Sequence, residues 1–411
     1  MKYIIWILLI GFSLGCKKDK SEGDDLPVSP TTGTRIEFTL DSIYLYARQV
    51  YLWNDVLPVY NIFNPRKYAS QEPEFTALKK ELFEFSQFKM NPATGLAYEF
   101  PVNTGYPKYS FIEKISVSAG KTAVVEGNME SGLLKTALID QAGIKVAYLA
   151  MGSFPALKDC KTTLDQVFSD FASSVPKYII IDLRSNAGGY VETAEYIANL
   201  ISPSNLTGKV MYSEEYNSMM QAGKASILKN QAYLDAAGQQ VIYKGKPATM
   251  ADVNYTESAN TFLYNKKGNL ESVTDVYFIL SGKTASASEM LVSIMKPYLK
   301  VYTLGEKSYG KPIGFFGIKI DIYSLYLSGF LIKNALGWAD YFNGMNVDLP
   351  MVTTANPIWG DPDESCLKLA LTQIAKGSSR ILQSKEPVNK TPRLMLPQIS
   401  GILENRLKLK Q

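Results

Sequence analysis

The chain has 411 residues, 46% of them hydrophobic and 20% charged, with a net charge of +4, three cysteines and no histidine. This balance fits an ordinary globular protein of two or three domains, and the charge is too small and too dispersed to argue for nucleic acid. Without imidazole a Ser-His-Asp triad, a Cys-His dyad and every zinc site that needs histidine are excluded, and three cysteines leave no thiolate cage, so neither a metal nor a cofactor is expected.

At the start, Lys2 precedes an apolar run from Tyr3 to Leu14 that closes on Ser13-Leu14-Gly15-Cys16 and then turns polar. The run is shorter than the roughly 18 residues of a membrane-spanning helix and reads as a secretory signal. Its end resembles a bacterial lipoprotein cleavage box, which makes residues 1–16 a signal peptide and Cys16 the lipidated residue. Two or more acyl chains there would hold the protein on a membrane. Residues 17–35, rich in Lys, Asp, Gly, Ser, Pro and Thr without apolar periodicity, form a flexible tether.

From Ile36 a first unit begins, with Ile43, Ala47, Val50 and Tyr51 at helical spacing and Leu52 to Pro58 ending the helix. The spacing predicts a second helix from Glu74 to Ser86, with Leu78, Leu82 and Phe85 on one face. Between about Tyr98 and Leu138 the pattern is short, strand-like and punctuated by glycine, so residues 36–143 read as a small N-terminal helical domain with a β-containing connection.

From Ile144 strand and helix alternate: a strand from Lys145 to Ala150, a helix marked by Leu164, Val167, Phe168 and Phe171, and apolar strands from Tyr178 to Leu183 and from Val276 to Leu280. Such unbroken runs suit strands covered on both faces, which predicts an α/β core over 144–376. Within it, 202–271 reads as an insertion or lid beside the site. Residues 377–411, rich in Pro, Ser and Lys, form a tail with one helix near its end. Whether Cys160 and Cys366 pair is not set by their spacing.

Three loops that follow core strands hold most of the chemistry. They are Asp182-Leu183-Arg184-Ser185-Asn186-Ala187-Gly188-Gly189 before a helix Val191 to Ile201, Ser281-Gly282-Lys283-Thr284-Ala285-Ser286 before a helix Ala287 to Tyr298, and Gly305-Glu306-Lys307-Ser308-Tyr309-Gly310-Lys311 after a strand Lys300 to Leu304. Open α/β sheets carry their sites at the carboxyl ends of strands, so the loops are expected to converge.

Each loop also has a plain structural reading. Ser286 and Glu289 fit a capping box, Gly188-Gly189 fits a tight turn, and Lys311 fits a surface lysine. One functional reading takes in all three. A serine at a helix N-terminus can have developing negative charge stabilised by the dipole and by free N–H groups, and glycines let a substrate carbonyl approach the backbone. A lysine serves as base if its surroundings pull its pKa from about 10.4 to about 7 or 8. Gly305 to Lys311 also matches a phosphate-binding loop until Pro312 stands in place of Ser or Thr, which removes the magnesium hydroxyl. No nucleotide is expected.

These three segments, in this order, resemble the C-terminal processing (tail-specific) serine peptidases, a family with a Ser-Lys dyad. The resemblance implies an α/β Clp-protease/crotonase-like core with a small N-terminal helical domain. It also implies Ser286 as nucleophile, Lys311 as general base, and an oxyanion hole from the backbone of Ala287 and of Gly188 or Gly189. The Tyr51-Leu52-Trp53-Asn54-Asp55-Val56-Leu57-Pro58 segment and the lipoprotein signal resemble a Bacteroidetes-type subgroup. That implies a lipid-anchored envelope protein of a Gram-negative cell, at the outer membrane, cutting exported or envelope proteins or peptides.

Two departures stand out. Too few residues lie between Leu96 and Ile144 for the complete PDZ domain usual in the family. Phe315 stands where several relatives place a glutamine that orients the lysine amine, so either something else orients Lys311 or Phe315 desolvates it. The alternative reading is a catalytically degenerate relative that binds peptides or acts as an envelope scaffold.

Overall fold

The computed structural model describes residues 29–70, 73–115, 132–235, 238–354, 356–377 and 407–410. The signal segment, Cys16 and most of the tether lie outside them. The first helix, Arg35–Val50, opens on Thr34, whose side chain and Glu37 form a capping box. Ile43, Ala47 and Val50 are buried along its inner face. The second expected helix is Glu74–Ser86, and Tyr44, Phe63 and Phe85 pack together between the two, with the Tyr44 and Phe63 rings stacked at 4.0 Å.

The core is a six-stranded sheet in the order Leu349–Pro350, Lys300–Gly305, Asp275–Leu280, Tyr178–Asp182, Ile144–Met151 and Leu133–Gln141. The first five strands are parallel and the last is antiparallel to its neighbour. Alternation along the strands feeds two cores: Ile179, Ile181, Val276 and Phe278 face one, Tyr178, Ile180, Tyr277 and Ile279 the other. Helices Leu157–Ser174, Val191–Ile201 and Ala287–Met295 supply the first core, and Ser365–Ala375 supplies the second. Cover on both faces is why these strands read as unbroken apolar runs. Cys160 and Cys366 are free and buried in the two different cores, which answers the pairing question.

The segment expected to be an insertion is woven into a second sheet. Its strand Val210–Tyr216 lies between Thr261–Leu263 and Phe330–Asn334, and the latter pairs with Ile313–Gly314, directly after Lys311. The strand Phe111–Lys114 of the N-terminal region pairs with Tyr323–Tyr326 of a hairpin further along. The helix expected in the tail falls mostly outside the described residues, and of the last stretch only residues 407–410 are described. Leu409 bridges to Val253, Asn254 N–H donates to the Lys408 carbonyl, and Lys410 N–H donates to that of Asp252. Alternating Leu and Lys side chains suit this extended, half-covered pairing.

Candidate active site

The three loops meet at the carboxyl edge of the large sheet, sewn together by short bonds. The Thr284 hydroxyl donates to the Leu183 carbonyl at 2.8 Å and the Ser281 hydroxyl to the Arg184 carbonyl at 2.5 Å, which ties the second loop to the first. Tyr309 N–H donates to the Thr284 carbonyl at 2.9 Å, which ties the third to the second. Outside this cluster, Arg184 bonds Asp182 on its own strand and Glu364, the N-cap of the Ser365–Ala375 helix, at 2.7 Å each. The first loop is thus anchored from behind by a buried ion-pair network.

Ser286 stands at the turn from strand to helix with φ 56° and ψ −121°. A non-glycine residue held there costs roughly 1–3 kcal/mol and persists only where the surroundings impose it, as at the sharp turns that expose a nucleophile. What imposes it here is Glu289. The capping-box expectation is met, in that one Glu289 carboxylate oxygen accepts the Ser286 N–H at 3.0 Å. The same oxygen accepts the Lys311 N–H at 2.8 Å, and the other accepts the Ser308 hydroxyl at 2.5 Å and the Gly310 N–H at 2.6 Å. One fully buried carboxylate therefore binds the backbone of the serine and of the lysine. Burial holds the Glu289 carboxyl above its ordinary value, a rise that the Ser308 hydroxyl and the Lys311 and Gly310 amides offset only in part. The S-x-x-E spacing pointed to Glu289 only as a cap; its reach across two loops is tertiary and has no local signal.

Lys311 is 8% exposed, and its Nζ lies 4.6 Å from the centre of the Phe315 ring. Burial lowers its amine to about 8 against the opposing pull of Glu289 and Glu99. It is not a solvated surface lysine. Gly310 and Lys311 spend on Glu289 the amides that a phosphate loop would offer to a nucleotide.

Of the two glycines, Gly188 has φ +104°, and a Cβ on it would come within 2.9 Å of the Ala285 carbonyl and 3.0 Å of Ser286 Cβ. It packs directly against the serine. Its N–H donates to Asn186 Oδ1 at 2.8 Å. Gly189 sits in a parallel bridge with Phe154, whose N–H and carbonyl bond Gly188 and Tyr190, and a Cβ on it would fall 2.1 Å from the Phe154 carbonyl. Ala287 is the first residue of its helix, where N–H groups have no intrahelical acceptor. Among the described residues no helix is long and apolar enough to cross a membrane, and no cluster of His, Cys, Asp and Glu could hold a metal ion.

The comparisons with known proteins bear on the same region. Residues 145–319, which span all three loops, match the model of peptidase family S41. No curated protein matches the chain. Among solved structures, a Bacteroides fragilis protein described as an S41 protease aligns over 86% of this chain and 100% of its own, at 16% identity and a TM-score of 0.54. A Parabacteroides merdae protein described as a peptidase aligns over 85% and 100%, at 15% identity and a TM-score of 0.46. The photosystem II D1 C-terminal processing protease aligns over 78% and 94%, at 12% identity and a TM-score of 0.46. The first of these shows the fold, a Clp-protease-like α/β core. Over residues 145–319 this chain thus resembles peptidase family S41.

Proposed function

We propose that the protein is a serine endopeptidase in which Ser286 is the nucleophile and Lys311 the general base. The observation that carries this reading is the single Glu289 oxygen that accepts both the Ser286 and the Lys311 N–H, placing the two loops in one rigid frame. Ser286 Oγ attacks a peptide carbonyl carbon while the neutral Lys311 amine takes the hydroxyl proton. The tetrahedral oxyanion is met by the N–H groups of Ala287 and Gly189. Gly188, the other candidate, already donates to Asn186 and serves by letting the backbone pass close to Ser286. The C–N bond then breaks as the ammonium returns its proton to the leaving nitrogen, and water hydrolyses the ester with Lys311 again as base.

The amine near pH 8 supports the assignment, since a base must be neutral at working pH. Exported or envelope proteins and peptides are the proposed substrates, and Cys16 the lipid anchor to the outer membrane. A test is to incubate residues 17–411 with unfolded casein, beside Ser286→Ala and Lys311→Ala variants, over pH 6 to 10. Cleavage by the wild type alone supports the dyad. Cleavage that survives either substitution overturns it, and absence of cleavage by all three, repeated on envelope proteins, favours a peptide-binding relative.

A further inference from the structure

The lysine loop is gripped from a second side, by the N-terminal region. The Tyr109 hydroxyl, fully buried, donates to the Gly310 carbonyl at 2.7 Å, with the Phe342 carbonyl a second acceptor at 3.3 Å, and the Lys311 N–H of the same peptide goes to Glu289 at 2.8 Å. The peptide that precedes Lys311 is therefore held at both ends. Gly310 has φ +90°, and a Cβ there would lie 2.3 to 2.7 Å from the backbone of Gly344, Phe342 and Tyr341, so only glycine fits at this point of the loop.

Tyr109 is itself pinned. Its N–H and that of Ser110 donate to one oxygen of Glu99 at 3.1 and 2.8 Å. The other oxygen takes the hydroxyls of Ser110 at 2.6 Å, Ser328 at 2.8 Å and Tyr51 at 3.0 Å. Five donors on a carboxylate with no exposure make a fixed post between the helical domain and the core.

Resting on the Ser-Lys reading above, we infer that Tyr109, fixed by Glu99, is a positioning residue for Lys311. It holds the Gly310–Lys311 peptide bond so that the lysine side chain runs over the Phe315 ring, which supplies the orientation a glutamine four residues on would otherwise give. The N-terminal region is then part of the catalytic apparatus.

The test is Tyr109→Phe in the full chain, with Tyr44→Phe as a control away from the site, since Tyr44 loses a part-buried hydroxyl bond to the Pro58 carbonyl. Melting temperature, kcat, KM and the pH profile are measured for each. Charged and titratable groups facing this point are Glu289, Glu99, Lys108, Tyr309 and Tyr341, and Tyr109→Phe changes none of them. A loosened lysine regains water, so its amine moves back up. The rising limb of kcat/KM should shift to higher pH by about one unit, and kcat should fall roughly 10- to 100-fold with KM little changed.

Acetylation of Lys311 by acetic anhydride across pH 6 to 11, read by peptide mass spectrometry, reports the same shift without substrate. If Tyr109→Phe does not fold, Ser328→Ala removes one hydroxyl from Glu99 and carries the same test. A folded variant whose limb and labelling midpoint match the wild type overturns the inference. Ser286→Ala and Lys311→Ala run in parallel separate the two failures. Activity in either sinks the dyad itself, whereas dead variants beside an unaltered Tyr109→Phe sink only the positioning role.

Discussion

Two buried glutamates, both unexposed and both on helices, show opposite solutions to the same problem. Glu289, in the cradle of the candidate site, receives four hydrogen bonds, three from the lysine loop and one from its own helix N-terminus. Glu81, inside the N-terminal helical domain, has no hydrogen-bond partner on either oxygen among the described residues. An isolated buried carboxylate is costly unless it takes up a proton, whereas one with a full set of donors can stay charged. Glu289 gathers donors around its carboxyl, whereas Glu81 sits in the helical domain without any, which favours its protonated form. Burial pushes the Glu81 carboxyl well above its ordinary value, with Asp41 adding to the rise.

The largest effects belong to the cradle. Ser286→Ala and Lys311→Ala should each reduce kcat by on the order of 10⁴-fold or more, measured on casein or a peptide by active-site-titrated kinetics. Glu289→Gln should come next. Its amide nitrogen cannot accept the two bonds now made to one carboxylate oxygen, so stability should fall by about 2–4 kcal/mol in denaturant unfolding, and activity should fall with it. Equal stability in wild type and Glu289→Gln would show that the donors do not depend on the charge.

Lys311 sharpens the contrast, because the cradle also contains a group that works against folding. Its amine sits near 8 in the folded chain, below its ordinary value of 10.5. The unfolded chain binds more protons between those values, so stability should rise as pH climbs from about 8 to 10.5. Below pH 8 the buried amine destabilises the fold by about 3 kcal/mol. Lys311→Met should therefore raise the melting temperature at pH 6 while removing activity, and the difference should shrink toward pH 10. A melting temperature that drops at pH 6 would mean that the lysine is held by attractions stronger than its desolvation.

The two regions also differ in how much of them was legible in the sequence. The strands Tyr178–Asp182 and Asp275–Leu280 and the helices Glu74–Ser86 and Val191–Ile201 were readable because their apolar periods are local. Ser286, Lys311 and the two glycines were readable as a set because each follows a core strand, and the sheet brings such positions together. Tyr109 and Glu99 were not. They lie in a stretch without periodicity, and their importance comes from bonds to residues more than 200 positions away, Gly310 and Ser328. Most of the tail in which a helix was expected lies outside the described residues, and Leu407–Lys410 takes its conformation from a partner segment at Val253.

The smallest effect is the most direct check on the contrast. If Glu81 is buried as a neutral acid, its folded value is above its unfolded value of 4.5. Its favourable contribution is then complete below pH 4.5 and is lost as the pH rises toward the folded value. Glu81→Gln keeps the shape and removes the titration, so the variant should match the wild type near pH 4 and be more stable at pH 8, by about 1–2 kcal/mol. The sign is opposite to that expected for Glu289→Gln. Thermal melts of both variants at pH 4 and pH 8 decide the matter. If both are destabilised alike at pH 8, Glu81 is ionised and paired after all, and the helical domain holds its buried charge in the same way as the cradle around Glu289.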